Sequence, residues 1–318
     1  GADEIGDDLL RLIFVACHPV LSTEARSALT LRLLGGLTTV EIARAYLSTE
    51  GAIAQRIVRA KRALTDAAVP FEIPRREELP ARLSSVLEVI YLIFNEGYAA
   101  TSGPEWMRPA LCEEALRIGR ILAELTPDEP EVHGLVALME IQASRTRARS
   151  GPDGAPVLLL EQDRALWDRL LISRGLAALA RGEALGGVRG PYLQQAGIAA
   201  VHARALSAAA TDWVEIAKRY DELAASAASP VVALNRAVAV GMAYGPAAGL
   251  AIADELESSG VLAGYHLLPS VRADFLAKLG RHGEAGAEFE RAAALTRNER
   301  ERALLTGRAQ ACLRHASH

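Results

Sequence analysis

About 60 of the 318 residues are alanine while only 5% are aromatic, and that ratio limits the backbone before any motif is read. Alanine is the best helix former, whereas sheets draw on aromatic and β-branched side chains. Apolar residues also recur at i, i+3 and i+4, as in Leu83, Val86, Leu87, Ile90 and Ile93, the spacing that lines one face of a helix. The chain is therefore expected to be all-α. Its length and 50% apolar content predict two or three domains with substantial cores, not a disordered tail.

Short Pro, Gly and Ser clusters separate the helical blocks, and the clearest break is PFEIPRREELP at 70–80, where three prolines interrupt the periodicity. That break divides the chain into residues 1–70, a linker at 71–80 and an extension at 81–318. Further breaks at 101–109, 126–130, 144–156, 182–191, 226–230, 241–246 and 258–264 leave segments suited to helix pairs with short turns. From residue 229 a weak repeat matches Ala248 and Ile252 with Ala285 and Phe289. With Gly280, Glu284 and Ala292, the second copy resembles a tetratricopeptide repeat, in which small residues sit where helices touch and a bulky one sits where the next pair stacks. Any alanine-rich hairpin could show the same spacing, so the extension is read as repeat-like.

The net charge is −4, which excludes a globally basic nucleic-acid coat, but its distribution is uneven. Residues 1–43 carry three basic and six acidic side chains. Residues 44–64 carry Arg44, Arg56, Arg59, Lys61 and Arg62 against Glu50 alone. Within LTTVEIARAYLSTEGAIAQRIVRAKRAL (37–64), Thr38 or Thr39 can cap a short helix, and Ser48 or Thr49 a second. On the second, Ile53, Ile57, Ala60 and Leu64 form one apolar stripe, which turns the basic residues toward the other face. This is a helix-turn-helix pattern. Arg56 and Arg59 are expected at a DNA groove or its walls, Arg44, Lys61 and Arg62 at phosphates, and Thr49 and Gln55 near base edges. An ordinary amphipathic helix with a solvated charged face is the competing reading.

The stretch from DDLLRLIFVACHPVLSTEARSALTLRLLGGLT through IVRAKRAL resembles region 4 of an RNA polymerase sigma factor of the extracytoplasmic-function type. The segments YLIFNEGYAA (91–100), LCEEALRIGRILAEL (111–125), PDEPEVHGLVALM (127–139) and SPVVALNRAVAV (229–240) are similar to the subgroup with a C-terminal tetratricopeptide-like extension. Leu47 stands where such proteins usually place Gly, and Ala54 where they often place a basic residue. The resemblance implies that the second helix of the motif reads the minus-35 promoter element, that the RNA polymerase core is a partner, and that the extension modulates sigma activity through a regulatory protein or peptide. It also implies a region 2 domain that grips polymerase, and nothing in residues 1–36 resembles one.

Beyond residue 70 the balance is 27 basic to 31 acidic side chains, unlike a second DNA site. A concave helical array offers instead a groove for a peptide or partner protein. Candidate groove residues are the polar and aromatic side chains inside apolar helices: Asn95, Glu96, Tyr98, Tyr192, Gln195, His202, Trp213, Asn235 and Arg236. Each could equally be a paired interhelix group. The alternative to a sigma factor is a repeat-type adaptor whose helix-turn-helix no longer binds DNA. No catalytic residue, cofactor or metal is expected: His18, His133, His202, His266 and His282 are scattered, and neither a phosphate loop nor a GxSxG turn occurs. Glu113 and Glu114 head a helix, where the macrodipole accounts for them. Cys17, Cys112 and Cys312 form no framework, and no apolar run is long enough to span a bilayer, so a reducing cytoplasm and no membrane are expected.

Overall fold

The computed structural model describes residues 2–318, with side chains from residue 4 onward. The expected all-α class holds. Four helices form the N-terminal unit: α1 (Ala2–Ala16), α2 (Thr23–Leu33), α3 (Thr39–Ala45) and α4 (Glu50–Asp66). After an irregular link at 67–78 come α5 (Leu79–Tyr98), α6 (Pro109–Leu125), α7 (Pro130–Ala143), α8 (Arg169–Ala184), α9 (Pro191–Arg204) and α10 (Trp213–Ser226). The chain ends in α11 (Pro230–Tyr244), α12 (Pro246–Ser259), α13 (Leu267–Lys278), α14 (His282–Leu295) and α15 (Glu299–Ala316). Prolines that read as punctuation in the sequence are helix starts: Pro109, Pro130, Pro191, Pro230 and Pro246 each open a helix. A proline fits there because the first turn leaves its N–H unpaired in any case.

The helices of the extension pack as successive neighbours, α5 on α6, α7 on α8 and α9, α10 on α11, α11 on α12, α13 on α14 and α14 on α15. One carboxylate ties α7 to α9. Glu131 accepts the Tyr192 and Leu193 N–H groups at 2.9 and 3.0 Å and so caps the start of α9. Burial raises its pKa and these two bonds lower it, with burial the larger effect.

The array closes on itself. Residues Ser102–Gly103 (β1) pair in parallel with Arg297–Asn298 (β2), the one two-stranded sheet among the described residues. The Asn298 side chain, fully buried, donates to the Ala100 and Glu105 carbonyls at 2.9 and 2.8 Å. The same side chain accepts the Glu301 N–H as the cap of α15. The last hairpin is thereby fastened to the loop between the first two helices of the extension.

The link at 67–78 does not separate two cores. One apolar cluster runs from Leu10, Phe14 and Leu29 through Ile53 and Ile57 to Val86, Ile90, Leu111 and Met139. Polar contacts reinforce it. Arg82 donates to the Phe14 carbonyl and Arg26 to Ser85 Oγ, each at 2.8 Å. Glu114 accepts the Gly36 N–H at 2.8 Å, and Arg117 donates to the Leu34 carbonyl. The outer face of α4 takes no part in this packing.

Candidate nucleic-acid interface

Both helices of the expected motif are capped locally. Thr38 and Glu41 form a reciprocal capping box on α3, and the Thr49 hydroxyl oxygen accepts the Ala52 N–H at 3.1 Å at the start of α4. Ile42 and Ala43 of α3 are buried, as are Ile53, Ile57, Ala60 and Leu64 of α4. The turn between them runs through Tyr46, Leu47 and Ser48, with Leu47 at φ 50°. That left-handed conformation favours glycine and costs a leucine about 1–2 kcal/mol. Leu47 nevertheless adopts it, and its side chain lies over Gly103 of β1, where any Cβ would come within 2.6 Å of Leu47 Cδ1. The helix-turn-helix turn thus rests on the closure of the extension.

Four of the five cations are turned to solvent. Arg44, Arg59, Lys61 and Arg62 are exposed and Arg56 is half-buried. Among the described residues none of the five is in an ion pair, and Arg59 donates only to Gln55 Oε1, at 3.3 Å. Several arginines of the extension are paired instead. Arg108 pairs with Glu96 at 2.7 Å, Arg272 with Glu288 at 2.6 Å, Arg308 with Asp274 at 2.8 Å and Arg291 with Glu257 at 2.9 Å. Cations without internal partners are what a phosphate-binding face requires. Thr49, exposed, keeps its hydroxyl proton while its oxygen serves as the cap. Val58, unremarked in the sequence, is 56% exposed beside these residues and offers apolar surface of the kind that meets a thymine methyl.

Arg56 differs from its neighbours. It lines a cleft of about 190 Å³ with Tyr46, Leu92 and Glu96, where α5 approaches the start of α4. Glu96 is already held by Arg108 and by the Thr101 N–H and hydroxyl. Burial, with the Glu96 charge second, pushes the Tyr46 phenol up.

The groove candidates do not gather into one site. Trp213 alone among them lines a groove of about 530 Å³ between α11, α13, α15 and residues 156–161. His202 sets its ring edge against Trp213 at 5.2 Å. Tyr192 does the same against Tyr91 at 5.5 Å, and Asn95 is half-buried one turn beyond Tyr91 on α5. Tyr98 stacks on Phe94 and carries the Arg149 guanidinium 3.5 Å from its ring centre. Gln195 is half-buried on α9 and Asn235 exposed on α11. Glu96 and Arg236 are committed to ion pairs, the latter with Asp221 at 2.5 Å.

Two arginines between α7 and α8 are unmarked by the sequence pattern, Arg145 inside the break at 144–156 and Arg164 beyond it. Arg145 and Arg164 both lie against the Trp167 ring, at 5.0 and 4.3 Å, and Arg164 donates to the His202 and Ala205 carbonyls at the end of α9. The cysteines are buried and free, and burial pushes the Cys17 thiol up to about 11. Among the described residues no three His, Cys, Asp or Glu side chains gather as a metal site, and no helix is long and apolar enough to cross a membrane.

A capped helix-turn-helix with a basic face defines a class of domain, and comparison with known families agrees: residues 11–64 match sigma-70 region 4, so the N-terminal unit is a sigma-70 region 4-like domain. Residues 82–183 match DUF6596, a family of unknown function. The chain is 47% identical over 300 residues to an uncharacterized protein of Rhizobium meliloti (strain 1021), an overlap of 94% of this chain and 70% of the relative. It belongs to the same family as that protein. No solved structure matches it.

Proposed function

We propose that the protein acts as the region 4 and extension portion of an extracytoplasmic-function sigma factor. It binds duplex promoter DNA at the minus-35 element through α4 and meets the RNA polymerase core, in the cytoplasm and without catalysis of its own. The extension is a tetratricopeptide-like array that regulates initiation through contacts with a protein or peptide. The observation that carries the reading is the set of cations gathered on a capped helix-turn-helix, four of them exposed and none in an ion pair among the described residues. In this arrangement Arg59 and Gln55 face the groove with Arg56 at its wall, while Arg44, Lys61 and Arg62 hold phosphates.

The test is a duplex titration at several salt concentrations. Replacing Arg56 and Arg59 together by Ala is expected to weaken promoter binding and, through Arg56 at the groove wall, to lower the salt slope by about 1, because each phosphate contact releases counterions. An unchanged affinity would leave only the adaptor reading, in which the motif is a packing unit.

A further inference from the structure

Helix α7 is apolar along most of its length and buried from Val132 to Ile141, yet it carries a carboxylate, Glu140, that is only 2% exposed. A buried charge of this kind persists when it is fully paired. Arg120 of α6 grips it in a bidentate bond, Nε at 2.9 Å and Nη2 at 3.0 Å, and Arg174 Nε of α8 lies 3.5 Å from it. Among the described residues this arrangement leaves Arg120 Nη1 and both terminal nitrogens of Arg174 without a hydrogen-bond partner. The two guanidiniums stand at one end of a cleft of about 520 Å³, whose floor is α7 and whose walls are α6 and α8. Ala123 on one wall and Ala177 on the other keep the space between them open, above Val136.

Arg181 lines the same cleft seven residues beyond Arg174 on α8, about 10 Å along the axis at 1.5 Å per residue. It has no ion pair among the described residues. Below that end the His133 ring is fixed by an Nε2–H bond to the Pro127 carbonyl at 2.7 Å. The one further charge in the cleft is Glu124, exposed on α6. Since Glu140 neutralises Arg120, Arg174 and Arg181 exceed Glu124 by one positive charge. Cationic groups at both ends of a cleft of this volume suit a small anionic ligand.

We propose that the α6–α8 cleft binds a small organic polyanion, bearing phosphate or carboxylate groups, with Arg174 and Arg181 as its anion ligands and Glu140 as the group that positions Arg120. The site is independent of DNA reading by α4. It is nonetheless joined to region 4, because Glu114 and Arg117, which hold the Leu34–Gly36 turn, lie on the same helix as Arg120.

The experiment is calorimetric titration of the full chain with inorganic pyrophosphate and with citrate. Arg174 and Arg181 are exposed, so the R174A/R181A variant keeps the fold; R204A/R314A removes the same charge elsewhere. Saturable binding at micromolar to millimolar concentration is expected, at least tenfold weaker in R174A/R181A, unchanged in R204A/R314A and several-fold tighter in E124Q. Binding of only one probe supports the site and says whether phosphate or carboxylate is preferred. Binding of neither, equal loss in both double variants, or capture only of an acidic peptide such as oligoglutamate would overturn it.

Discussion

His202 shows how far one buried side chain departs from its solution chemistry. Burial, followed by the charges of Arg145 and Arg164, lowers its pKa to about 3. The unfolded imidazole takes up its proton near pH 6.5, so between 6.5 and about 3 the unfolded state binds more protons than the folded one. The stability that depends on a neutral His202 is complete above pH 6.5 and is lost progressively as pH falls through that window. His18, lowered by its own burial and by Arg82, acts in the same direction. In urea unfolding at a series of pH values, H202Q is expected to flatten the decline between pH 6.5 and 5, where ordinary carboxylates remain ionised. An equally steep decline in the variant would mean that another group is titrating.

At the scale of elements, two residues from distant parts of the chain set the helix-turn-helix turn. Gly103 adopts φ 93°, and a Cβ there would meet the Leu47 methyl at 2.6 Å. Gly103→Ala therefore combines backbone strain with a clash, at a cost of about 1–3 kcal/mol. Because the clash falls on the turn that aims α4, duplex affinity is expected, on the proposed DNA-binding reading, to drop as well, while a change in thermal midpoint alone would show that Leu47 yields without moving α4. Helix starts, the apolar stripe of α4 and its cations were legible in the sequence because each depends on residues within one or two turns. The closure was not: Asn298 reaches Ala100 across 198 positions, and two-residue strands are too short to leave a period-2 pattern. The α6–α8 cleft was hidden for a related reason. Arg120, Arg174 and Arg181 read as ordinary surface cations until α7 brings their helices together around Glu140. Leu47, in a position usually given to glycine, holds the turn because a neighbour in space supports it.

For the whole molecule, the shared core determines how the two parts can move. Phe14, Leu29 and Ile53 belong to the same apolar cluster as Val86 and Ile90, so separating region 4 from the extension would expose fully buried side chains on both sides. At about 1.5–3 kcal/mol for each large side chain returned to water, even a few such residues outweigh the entropy gained by independent tumbling. Access to α4 therefore does not require the parts to come apart, since its basic face already points outward. Cleavage at the exposed Arg76 in the link tests this directly. The two fragments are expected to co-elute in size-exclusion chromatography, to unfold in one coincident urea transition and, on the proposed DNA-binding reading, to match the duplex affinity of the intact chain. Fragments that separate would show the interface to be weaker than its buried area implies. Fragments that stay together but bind DNA more tightly would show that the covalent link, and not the packed interface, restrains α4.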